Sequence, residues 1–68
     1  MTATAVYVVD DVDFDTRLDD EVRVWNVYIG DDDAEPVGKT YTVHRGRNAA
    51  IALGERIARD RRLELVVD

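Results

Sequence analysis

The chain has 68 residues, no cysteine, one histidine and a net charge of −6, so disulfides and thiolate metal sites are excluded. Below about 70–80 residues, a core leaves only about 3–5 kcal/mol of net stability unless a disulfide, a metal or a partner chain adds to it. We therefore expect one domain over residues 1–68 that has no metal and no cofactor and gains stability by self-association.

The first half of the chain predicts three strands. Residues 5–9 and 22–29 are rich in Val, Tyr and Ile, and residues 37–43 return after a turn that Gly30 and Pro36 bracket. Residues 10–15 carry closely spaced carboxylates that would repel one another in a packed element. We predict that this segment is an acidic loop and that the polar connection continues to Glu21.

The second half predicts a helix from residue 48 to about residue 62, with Asn48 as its N-cap, followed by a strand at 63–67. Gly54 lies mid-helix, where a missing side chain allows close approach to the sheet. One helix face is small and apolar, and comprises Ala50, Ile51, Leu53, Gly54, Ile57 and Ala58. The predicted fold is α+β with the order β-β-β-α-β, in which one helix packs on one face of a small antiparallel or mixed sheet.

A single helix covers only one sheet face, yet the second strand supplies apolar residues to both. Trp25, Val27 and Ile29 form one of these faces. Apolar residues on an uncovered face favour contact with another copy, although scattered exposed Val and Tyr are also normal in strands. The predicted self-association surface comprises Val22, Val24, Tyr28 and Val66.

The charged residues are biased in type and in position. Eleven of the fifteen acids are Asp, and eight of the nine bases are Arg. This composition resembles that of halophilic proteins of the haloarchaeal type, with an ordinary acidic protein from a GC-rich genome as the alternative. Residues 1–38 carry a net charge of −9 and residues 39–68 one of +3. At molar salt the Debye length is about 3 Å, so acidity does not exclude a nucleic-acid partner.

No segment approaches the roughly 20 consecutive apolar residues of a membrane span. The start of the chain, residues 1–5, also lacks the basic region that opens a signal peptide. We expect a cytoplasmic protein that does not bind membranes.

Three segments resemble a family of short uncharacterised prokaryotic proteins classed as a domain of unknown function. The family has a Trp-x-Val strand, a hairpin, a helix of the type E-A-I-x-x-A-x-x-x-A and a final strand of the type E-L-V-V. The matching segments are Trp25-Asn26-Val27, then Ala50-Ile51 with Gly54 and Ala58, and Glu64-Leu65-Val66-Val67. The family's Thr-x-x-Glu capping box is replaced by residues 44–49, and its basic-Asp-Gly tail is missing. The resemblance implies the fold and no activity.

Two acidic segments invite a metal interpretation. Asp11, Asp13 and Asp15 alternate like the start of an EF-hand loop, but Thr16 stands at its Gly position and Val22 at its Glu position. Residues 31–33 are three adjacent Asp in a turn, and adjacent side chains do not converge on one ion. We predict that both segments are solvated acidic surface.

The segment His44-Arg45-Gly46-Arg47 precedes the helix, where backbone amides and arginines favour anions. The candidate anion or nucleic-acid contacts are Arg45, Arg47, Arg56, Arg59 and Arg62. The alternative is that these arginines pair with the Asp-rich half, within the chain or across a dimer.

No nucleophile–base pair or metal constellation is present, so we expect a non-enzymatic domain that acts through self-association or protein interaction, as a homodimer or another homo-oligomer. A small nucleic-acid-binding module that uses the Arg patch is the alternative. Tyr7, Tyr28 and Tyr41 would strengthen it if all three lay on one open sheet face, where they could stack on bases.

Overall fold

A computed structural model describes residues 3–68 as a four-stranded mixed sheet with one helix on one face. Strand β1 runs antiparallel to β2 and parallel to β4, and the strand order is β3-β2-β1-β4. The predicted α+β fold and its β-β-β-α-β order are confirmed. Met1 and Thr2, which belong to the segment inspected for a signal peptide, lie outside the described residues. The elements are β1 (Ala5–Asp15), β2 (Asp20–Gly30), β3 (Pro36–Val43), α1 (Arg47–Arg61) and β4 (Glu64–Val67).

The core lies between α1 and the facing side of the sheet. Its buried side chains are the central-strand residues Val6, Val8 and Val27, with Ala50 and Ala58 from the helix. Small residues on the helix let it lie close to the strands, and half-buried apolar side chains close the edges. The predicted apolar faces are confirmed, because the side chains around this centre are Trp25, Ile29, Val43, Ile51, Leu53, Ile57, Leu63, Leu65 and Val67.

Gly54 lies in close contact with the sheet. A Cβ atom at this position would lie 2.8 Å from Val8 Cγ2 and 3.0 Å from Leu65 Cδ1. Val8 is fully buried and β-branched, so its side chain has little freedom to move away. The missing side chain at position 54 is therefore a packing requirement of this fold.

The helix begins differently from the prediction. Gly46, not Asn48, is the N-cap residue, no side chain caps the helix, and Asn48 lies exposed within the first turn. Gly46 has a φ of 116°, which L side chains rarely adopt and glycine adopts freely. The turn from β3 into α1 requires this backbone conformation at residue 46, so the helix begins at the next residue, Arg47.

The acidic segment 10–15 is strand, so its prediction as a loop was wrong. β1 and β2 pair residue by residue from Ala5 opposite Gly30 to Asp15 opposite Asp20, and only residues 16–19 form the turn. Neighbouring side chains in a strand point to opposite faces. Carboxylates two residues apart share a face but are separated by about 7 Å, which leaves room for water between them. Backbone pairing with β2 stabilises the strand, and of these acids only Asp15, whose side chain is 21% exposed, is partly buried.

This pairing creates an arm. β4 pairs with β1 only over Ala5–Val8, and β3 pairs with β2 only from Trp25 onward. Residues 10–23, here called the hairpin arm, extend beyond the other strands as a two-stranded ribbon. The protein is correspondingly elongated, with extents of 38 × 22 × 17 Å.

Substitution of Gly54 by Ala tests the helix–sheet contact. Alanine favours helix by about 1 kcal/mol, but overpacking a core costs about 1–3 kcal/mol, so Gly54→Ala should lower the free energy of unfolding by about 1 kcal/mol. Ala52→Gly at an exposed helix position is the control that measures helix propensity alone. Urea unfolding in molar KCl measures both. If Gly54→Ala raised stability by the amount that Ala52→Gly removes, close approach would not constrain position 54.

Candidate interaction surfaces

All four residues of the predicted self-association surface lie on the sheet face opposite α1. Val27 points into the core. Val22, Val24 and Tyr28 each lie an odd number of residues from Val27 along β2, so their side chains point to the face away from the helix. On β4, Leu65 faces the helix, as does its partner Val6 on β1. The next residue, Val66, therefore faces the other way, as does its partner Tyr7. The structure therefore brings these residues together on one open face.

This open face is less available than the sequence suggests. Val24 is only 2% exposed, although it belongs to the face without a helix. A chain of hydrogen bonds runs across the strands beside it: Thr42 Oγ1 donates to Asn26 Oδ1 at 3.0 Å, and Asn26 Nδ2 donates to Asp11 Oδ2 at 2.8 Å. Neighbouring side chains of the same molecule already cover Val24, so it offers little surface to a partner.

Two tyrosines close one end of the open face. The rings of Tyr7 and Tyr28 stack with centroids 5.5 Å apart and planes at 21°. The Tyr28 hydroxyl donates to the Ala34 carbonyl at 2.9 Å. Gly30 makes room for the stack, because a Cβ atom there would lie 2.6 Å from Tyr7 Cε2. Burial, with added repulsion from the Tyr7 and Glu35 charges, raises the pKa of Tyr28 above its ordinary value.

The third tyrosine lies elsewhere. Tyr41 pairs with Val27 and therefore belongs to the helix side of the sheet, where the Lys39 ammonium lies 5.0 Å from its ring centroid. The three tyrosines do not share one open face, and the condition for a base-stacking platform is not met.

Asp31 corrects the prediction that residues 31–33 are all solvated surface. Its side chain is buried, and Oδ1 accepts the backbone N–H of Asp33 at 2.9 Å and of Glu35 at 3.1 Å. Asp side chains commonly close turns in this way. The position of Asp31 between Gly30 and Pro36 was the available signal for this structural role.

The most exposed apolar side chains lie on the hairpin arm, which sequence reasoning had taken for a loop. Val12 is 58% exposed, Phe14 55% and Leu18 66%. Val12 and Phe14 lie an even number of residues from Val8 along β1, so they share its face, the α1 side of the sheet. They lie beyond the part of that face that the helix covers. A cleft of about 470 Å³ separates the arm from the segment before the helix, with Phe14 and His44 among its lining residues.

The candidate arginines have no ion-pair partners in the part of the chain that the structure describes. The two ion pairs there are Arg17–Asp15 at 3.6 Å and Arg23–Asp10 at 3.4 Å, both within the hairpin arm. The exposed arginines, which we call the arginine stripe, are spread along a helix about 22 Å long and the residues that flank it. Arg56 and Arg59 lie on the outer side of α1, whereas the other members lie at or beyond its two ends. The stripe comprises Arg45, Arg47, Arg56, Arg59 and Arg62, all of them exposed. Pairing with the Asp-rich half within the chain is therefore not seen.

Comparison of the chain with family models, with curated proteins and with solved structures found no match. Over residues 3–68, no helix has the length and apolar character needed to cross a membrane. Within the same residues, no three His, Asp or Glu side chains converge in a way that could hold a metal ion.

Asp substitutions at positions 24 and 66 test the two parts of the open face. Val24→Asp places an unpaired charge in a buried site opposite Asp11, which should cost about 3 kcal/mol or more and leave much of this small domain unfolded. Val66→Asp, at a position that is 40% exposed, should change stability by about 0.5 kcal/mol. Circular dichroism and urea unfolding measure both. Equal small effects would mean that Val24 is open to solvent.

Proposed function

We propose that this protein is a non-enzymatic interaction domain that self-associates, with a homodimer as its functional form. The observation that carries the proposal is the grouping of Val12, Phe14 and Leu18, all more than half exposed, on one protruding arm. Burial of such a side chain contributes about 1.5–3 kcal/mol, which is large beside the stability of a domain this small.

The arm itself favours a partner. An isolated two-stranded hairpin is marginally stable in water, and neither β3 nor β4 extends along the arm. A partner that covers the exposed Val12 and Phe14 would stabilise the ribbon as well as bury apolar surface. A salt-adapted, cytoplasmic protein belongs to the same proposal, and the Asp-rich and Arg-rich composition supports the salt adaptation.

Solution mass tests self-association. Light scattering in molar KCl should give twice the chain mass, and Phe14→Ser should weaken association at least tenfold, because a loss of about 1.4 kcal/mol suffices for that factor. Phe14 is exposed, so the variant should keep its fold. Val66→Ser is a matched control, since it removes an exposed apolar side chain from the other sheet face. A folded monomer at millimolar concentration would overturn the proposal.

Nucleic-acid binding by the arginine stripe is the second candidate. Five exposed arginines that form no ion pair within residues 3–68 favour it, and the separation of the tyrosines onto two faces weighs against it. Arginine contacts to phosphate would give a sequence-independent affinity that falls with salt.

Loss of two arginines tests this candidate. Arg45→Ala with Arg47→Ala should weaken binding to unrelated sequences equally and reduce the salt dependence of the affinity. Fluorescence anisotropy with two labelled oligonucleotides measures this at several KCl concentrations. Lys39→Ala with Arg23→Ala, outside the stripe, is the control. No binding by the unaltered protein at the lowest salt that keeps it folded would exclude the candidate.

A further inference from the structure

We propose that the hairpin arm of one copy docks on the arginine stripe of α1 in a second copy, and that the contact is reciprocal. The proposal rests on the self-association proposed above and specifies the two surfaces that meet. Each copy would give its arm to the partner's helix and receive the partner's arm on its own helix.

Charge complementarity favours this contact. The hairpin arm, residues 10–23, has seven acids and two arginines, a net charge of −5. Residues 45–62, which contain the stripe, have six arginines and two acids, a net charge of +4. No ion pair links the two segments within one molecule over residues 3–68. Their opposite charges are therefore free to meet between molecules.

Shape and apolar surface agree with the charges. The paired strands of the arm over residues 10–15 are about 20 Å long, close to the 22 Å or so of α1. Phe14 offers an exposed aromatic ring on the same face of the arm as Glu21, whereas Asp11, Asp13 and Asp15 lie on the other face. Arginine stems and guanidinium groups pack well on aromatic faces. Ala52 is exposed on the outer side of the helix, where a small side chain allows an arm to lie close.

Pairing of two copies by their strand edges places like charges together. Two β1 edges joined at the arm would set Asp against Asp, which is a common device against edge-to-edge pairing. A reciprocal arm-on-helix contact pairs opposite charges twice and closes on a twofold axis, so it ends at a dimer.

Charge exchange provides the test. An arm variant carries Glu21→Arg on the face of Phe14 and Asp13→Arg on the other face, two exposed acids that form no ion pair within residues 3–68. A helix variant carries Arg56→Glu with Arg59→Glu. Each variant alone removes most of the opposite charge from one side of both contacts and should dimerise at least tenfold more weakly than the unaltered chain. In a mixture of the two, one contact keeps the unaltered charges and the other sets the new arginines of the arm against the new glutamates of the helix, so a heterodimer should form.

The matched control is Asp32→Arg with Asp33→Arg, which changes the net charge as the arm variant does but lies in the exposed turn before β3. It should dimerise like the unaltered chain. Light scattering measures mass at the lowest KCl concentration at which circular dichroism shows the fold, because screening weakens the effect at molar salt.

Cysteine cross-linking gives a second readout that does not depend on salt. The chain has no cysteine, so single substitutions report one contact each. A mixture of Glu21→Cys and Ala52→Cys should form a disulfide-linked pair under mild oxidation in molar KCl. Asp32→Cys mixed with Ala52→Cys should not.

The outcomes separate the two proposals. A dimer of the unaltered chain, weakened in each charge variant and restored in the mixture, supports the arm-on-helix contact. If the unaltered chain dimerises but both charge variants dimerise equally well and no mixed disulfide forms, self-association stands and this contact is overturned. A monomeric unaltered chain overturns both.

Discussion

The close contact of α1 with the sheet at Gly54 is the constraint on which the rest of the structure depends. Val8 and Leu65 lie against the helix backbone at that point, so the centre of the helix–sheet contact is made by the small residues Ala50, Gly54 and Ala58. One short helix covers only part of the sheet face. It packs on the region around Val6, Val8 and Val27, and strands β1 and β2 continue beyond the end of the helix contact. The hairpin arm is therefore a direct result of long β1 and β2 strands beneath a single helix.

The two uncovered regions of the sheet have different chemistry. The face opposite the helix is partly closed by its own side chains, with a tyrosine stack over Gly30 and a hydrogen-bond chain from Asp11 through Asn26 to Thr42. The arm has no comparable internal cover for Phe14 or Val12. Apolar surface is thus concentrated where the chain is most acidic. A partner that combines apolar contact with positive charge would suit this region, and the proposed contact uses Ala52, Arg56 and Arg59 of α1 for that purpose.

The charges follow the same division. Arg17 and Arg23 pair with nearby Asp residues of the arm, whereas the arginine stripe has no such partners among the described residues. Exposed ion pairs contribute little to stability in isolation, so the segregation matters more for recognition than for folding. It gives one molecule two segments of opposite charge that form no ion pair with each other among the described residues.

The sequence by itself determined the elements whose signals are local. Helical periodicity identified the buried face around Ala50, Gly54 and Ala58, and alternation identified the strands and their faces. Tertiary structure decided the features that depend on distant partners. Residues 10–15 form a strand because β2 supplies hydrogen bonds to them, although their carboxylates suggest a loop. Val24 is buried by neighbours on its own sheet face, and Gly46 begins the helix because the turn from β3 requires a positive φ. The exposed arm appeared only with the structure, because it depends on where the other strands stop.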